Sequence, residues 1–155
     1  MPQSGFLGTA APWTADVTLL LELALGTGLL AGAMLARAGR YRLHAACQSV
    51  IVLLNLTLIV LTMFPAFHRQ VLPKLPGRIG RPYYAIAATH AALGSVAELG
   101  GLYLLVAAGT NLLPEKWRLT NYKFWMRSIL LLWWLALVLG LLTYVRWYVP
   151  HAIRN

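Results

Sequence analysis

The sequence predicts an all-α integral membrane bundle of four antiparallel transmembrane helices. Three observations carry this reading. First, 59% of the 155 residues are hydrophobic and only 11% are charged, whereas soluble domains carry about 25% charged residues. Second, the apolar residues fall in runs long enough, at ~1.5 Å of rise per residue, to cross a hydrocarbon layer of about 30 Å. Third, most basic residues stand between those runs, close to Trp and Tyr, as a membrane–water boundary favours. The formal charge of +9 then belongs to headgroup contacts and helix ends. No separate basic domain is present, so nucleic acid is excluded as a partner and the lipid bilayer is the expected one. Residues 1–155 form a single domain.

Residues 1–13 lack Lys and Arg, so the basic start of a cleavable signal peptide is missing. Thr14 and Asp16 mark a helix start. The first span covers about 15–36, where Gly28 and Gly32 have the small-xxx-small spacing that brings helices close. Glu22 is its exceptional residue. Arg37, Arg40 and Arg42 make a basic turn, and the second span covers about 43–64. Its Gln48, Asn55 and Thr62 recur every seven residues and define one stripe, which His44 extends by a turn. Pro65 is expected to end that helix. The loop over 65–82 holds four of the prolines and His68.

The third span, about 84–108, carries His90 and Glu98 in an otherwise apolar run. His90, Gly94 and Glu98 lie four residues apart and share a face, with Ala97 and Gly101 beside it to admit a neighbour. This helix is expected to be the one the others pack around. The fourth span, about 128–148, is hydrocarbon apart from Thr143 and Arg146, and the tail adds His151. The single Cys47 excludes an internal disulfide, a Cys-rich metal motif and covalent haem attachment through a CxxCH sequence.

Four spans put both termini on one side. Arg37, Arg40, Arg42, Lys116, Arg118, Lys123 and Arg127 share the other side. The positive-inside rule therefore places the termini outside the cytoplasm, periplasmic in a bacterial inner membrane. At ~1.5 Å per residue, Glu22, Asn55 and Glu98 fall within roughly 5 Å of the midplane, and His90 about 9 Å toward the termini side. His44 is near the opposite boundary.

A charged group at the centre of a bilayer costs about 2.5–3.5 kcal/mol on insertion scales, so the buried acids and imidazole are the candidate site. A metal site would use His90 as anchor with Glu22, completed by one of His68, His151 or Glu98, since mixed imidazole and carboxylate ligands suit copper or another transition metal. Haem b would need two imidazoles at one depth. His90 and His44 lie about 24 Å apart in depth, which leaves His68 or His151 to fold inward onto His90. The alternative is structural: Glu22 is protonated or paired with Arg146, Glu98 is hydrogen-bonded to Asn55 or Gln48, and Gln48, Asn55, Thr143 and Arg146 serve as polar packing. No nucleophile elbow, phosphate loop or HExxH motif is present, so no enzymatic activity is expected.

The basic turn leading into RYRLHAACQSV, then YYAIAATHAALGSVAELGGLYLL, then NYKFWMRSILLLWWLALVLGLLTYVRWY resembles a small four-helix bacterial membrane family of the CtaM type. The likeness spans residues 37–148. It implies a part in the maturation of haem–copper terminal oxidases, with membrane respiratory complex subunits as partners. It also matches His44 and His90 to the family's basic-turn and third-helix histidines. A family histidine before the last helix is replaced here, where Lys123 occupies that stretch. The expected function is an accessory or small subunit of a terminal oxidase, against a haem-b electron carrier or a purely structural subunit.

Overall fold

Prolines and glycines set most of the helix boundaries in a computed structural model that describes residues 5–149. Pro12 caps α1, Trp13–Arg37. Gly39, at φ +73, supplies the left-handed turn that a side chain would resist. Three residues then join α1 to α2, Tyr41–Leu58, too few to return along the length of α1, so the two helices are antiparallel. Gly28 and Gly32 hold this pair close: a Cβ on Gly28 would come within 2.8 Å of Ile51 Cδ1, and one on Gly32 would collide with the Gln48 amide.

The second helix does not stop at Pro65. After α2 the chain makes a π-helical turn over Ile59–Met63, in which Phe64 N–H bonds to the Ile59 carbonyl, and continues as α3, Phe64–Gln70. Proline ends a helix because it lacks an N–H and its ring strikes the carbonyl of residue i−4. The widened π turn lies immediately ahead of Pro65 and changes the backbone register there, so the helix runs on. A 3₁₀ turn, Leu72–Lys74, and α4, Leu75–Arg78, follow. Val71, Tyr84 and Ala87, with Phe67, Leu75 and Trp147 around them, pin this connection to the bundle.

Helix α5, Pro82–Gly109, starts with proline at its first position, where no N–H is needed. Helix α6, Tyr122–Tyr148, starts under an Asn121 cap that accepts Phe124 N–H at 3.2 Å. Among the described residues, four helical stretches are long and apolar enough to cross a membrane: Trp13–Arg37, Tyr41–Arg78, Pro82–Gly109 and Tyr122–Tyr148. They contain the four expected spans, and the second overruns its expected end.

The long contacts run between α5 and α6 and between α1 and α2, while α1 with α6 and α2 with α5 complete a ring. Helix α5 is thus one corner of that ring, not the hub the sequence suggested. Leu29, Ile51, Val52, Ala97 and Trp133 bring all four helices into one core. Large apolar side chains such as Leu43, Leu53, Leu61, Leu99 and Leu131 face outward, which suits hydrocarbon as the surrounding medium.

Candidate functional site: a cavity at the termini end of the bundle

The residues just before α1 fold back over the bundle end. Ala10 N–H bonds to the Tyr148 carbonyl at 3.3 Å, and Thr9 Oγ1 meets the Tyr144 hydroxyl at 2.8 Å. Asp16 anchors the arrangement. Its carboxylate accepts Phe6 N–H at 2.7 Å, Leu7 N–H at 2.9 Å and the Tyr144 hydroxyl at 2.6 Å, and the residue is 0% exposed. Each of these donors points at a charged acceptor, the stronger class of hydrogen bond.

At the same end of the bundle lies a cavity of about 230 Å³. Helix α1 lines it with Thr18 and Glu22, the π turn with Thr62, α5 with His90, and α6 with Gly140, Tyr144 and Trp147. Thr18 Oγ1 donates to Thr62 Oγ1 at 3.3 Å, tying α1 to the π turn.

His90 is held in a defined orientation. Its Nδ1 lies 2.8 Å from the Ala136 carbonyl oxygen. A carbonyl can only accept, so Nδ1 carries the hydrogen and Nε2 keeps its lone pair. The slot for the ring exists because residue 140 is glycine: a Cβ there would stand 2.9 Å from His90 Cε1. Glu22 shares the cavity, with its Oε1 buried and without a hydrogen-bond partner. A lone pair on imidazole and a free carboxylate oxygen can bind a metal ion or accept from a ligand hydroxyl.

The structure separates the remaining expected residues. Glu98 is not on the cavity wall: it is paired with Asn55, whose Nδ2 donates to Glu98 Oε2 at 2.8 Å. His44 directs Nδ1 to the Gly32 carbonyl at 2.8 Å, and it precedes Thr62 by ~27 Å of helix, so it lies at the other end from His90. His68 is exposed, its ring 6.0 Å from that of Phe64. His151 is outside the described residues. Among the described residues no three His, Cys, Asp or Glu side chains gather into a set able to hold a metal ion. The expected ligand set is therefore not one site: among its described residues, only His90 and Glu22 line the cavity.

Of the polar packing residues, Gln48 Nε2 donates to the Leu29 carbonyl at 3.3 Å and Thr143 Oγ1 to Leu139 within its own helix at 2.8 Å. Arg146 is exposed and is no partner for Glu22. Sequence reasoning missed the part played by Asp16 and Tyr144. The available signal was an acid in the first turn following a Gly-containing segment, Gly5 and Gly8, whose backbone N–H groups can wrap a carboxylate. An acid in a first turn also caps its own helix, so that signal pointed to the helix and not to the cover.

Comparison with protein families, curated proteins and solved structures finds no match to this chain.

Proposed function

We propose that this protein is a non-enzymatic accessory protein of the respiratory chain that holds a metal-bearing cargo at the His90 cavity for a haem–copper terminal oxidase. The observation that carries the reading is the His90 imidazole, fixed through Nδ1–H to a backbone carbonyl with Nε2 left free beside a cavity. Metal-ligating histidines are held in this way by the group on their other nitrogen. The cavity supplies His90 and Glu22 as protein donors, one fewer than the three of a typical catalytic zinc site. A metal held by so few groups keeps positions open to a receiving protein, which suits delivery better than permanent residence. The pattern over residues 37–148 supports the oxidase as recipient, and the charge pattern supports a bacterial inner membrane with both termini periplasmic.

A haem clamped between two histidines of this chain receives no support among the described residues, because His90 is the only imidazole on the cavity wall. The proposal is tested in the cells that make the protein. Exchanging the wild-type copy for His90→Ala should lower terminal-oxidase activity in isolated membranes as far as removing the protein does. Full oxidase activity with His90→Ala, at normal protein level, contradicts the proposal.

A further inference from the structure

A second group of polar atoms lies away from the cavity, in the core of the ring. Glu98 is 3% exposed and Asn55 7% exposed. One hydrogen bond joins them, from Asn55 Nδ2 to Glu98 Oε2 at 2.8 Å. The other two oxygens, Glu98 Oε1 and Asn55 Oδ1, are buried with no partner. Two acceptors left without a donor, on neighbouring helices in a low-dielectric core, are costly unless something positive binds them.

No cationic side chain of the bundle interior can do so. Helix α1 carries no basic residue before Arg37, the stretch from α2 through α3 none between His44 and His68, and α6 none between Arg127 and Arg146. On α5 His90 lies two turns from Glu98 and is bonded to Ala136. From α1 the acidic residue that interacts with Glu98 is Glu22, and it supplies no positive charge.

From these atoms we infer that Asn55 and Glu98 form an exchangeable site for a small monovalent cation, a proton or a sodium ion, inside the bundle. The donors are oxygens only, which selects hard cations. The pair carries one carboxylate, whose single negative charge balances a monovalent cation and leaves a divalent one uncompensated in the core. Neither residue lines the large cavity, so the occupant is small. Beside Glu22 is a space of about 10 Å³, bordered by Leu29 and Trp133, which also belong to the core cluster with Val52 and Ala97. That space is about the size of one water probe. Loading adds one cation to the Glu98 carboxylate and unloading returns it, with no electron moved. The site stands independently of what the large cavity holds.

The test uses the whole protein in vesicles of phosphatidylethanolamine and phosphatidylglycerol. Infrared difference spectra are taken as the buffer is stepped from acid to alkaline without sodium, and uptake of radioactive sodium is then measured. If the occupant is a proton, a carboxylic-acid carbonyl band disappears on the alkaline step in wild type and in Glu115→Gln, and Glu98→Gln lacks the Glu98 component of that band, leaving at most the component of Glu22. If it is sodium, wild type retains the ion one-to-one and Glu98→Gln retains none. Should Glu98→Gln not fold, Asn55→Leu keeps the acid and removes its partner, and must shift the midpoint of the band change or weaken sodium uptake at least tenfold. A band that never changes, with no sodium retained, marks a permanently neutral structural acid and overturns the inference. So does an Asn55→Leu protein that behaves as wild type.

Discussion

His90 is defined as much by what stands opposite it as by its own chemistry. Its Nδ1–H reaches the Ala136 carbonyl at 2.8 Å only because Gly140, one turn along α6, leaves room for the ring. Gly140→Ala should therefore displace the imidazole without touching the ligand atoms. Outer-shell changes of this kind cost about 10–100-fold in metal affinity, and we expect a loss in that range, read by metal titration of the purified protein. Unaltered affinity would show that Nε2 is not the binding atom. Asp16 offers a separate test. Asp16→Ala strips the acceptor from Phe6 N–H, Leu7 N–H and the Tyr144 hydroxyl. Hydrogen bonds to charged groups are each worth about 1.5–3 kcal/mol, so the variant should lose about 3 kcal/mol or more in thermal unfolding. Residues 5–12 should become open to protease, and an intact segment in the variant would contradict the anchoring role.

Among the elements, the π turn over Ile59–Met63 positions the most. It carries Thr62 to the cavity and sets the rotation of α3, which contributes Ala66, Phe67 and Gln70 to the same wall. Deleting the exposed Leu61 should tighten the turn and rotate α3 by about 100° against α2, the angle of one helical residue. Helix content should survive, seen by circular dichroism, while cargo binding falls with the rearranged wall; unchanged binding would remove the π turn from the account. This element also marks the limit of what the sequence reveals. Long apolar runs make the four spans legible, because hydrocarbon demands internally bonded helices of sufficient length. Heptad spacing placed Asn55 on a buried stripe. Pro65 reads locally as a stop, however, and its accommodation depends on a backbone register set in the preceding turn. Depth along each helix grouped Glu22, Asn55 and Glu98, but it says nothing of rotation about the axes. Rotation separates Glu98, turned to Asn55, from the cavity shared by His90 and Glu22.

At the scale of the whole molecule, the ring of four helices presents apolar side chains outward and holds its costly polar groups in two places. One is the cavity at the termini end. The other is the Asn55–Glu98 pair in the core. The central claim is that the cavity is the working part and that His90 Nε2 binds what it carries. The direct measurement is metal analysis with an absorption spectrum, on wild-type and His90→Ala proteins purified from the native membrane under the same conditions. The account predicts a metal in proportion to protein in the wild type, with the spectrum separating haem from a simple ion, and its loss in His90→Ala. Equal metal content in the two proteins would contradict it.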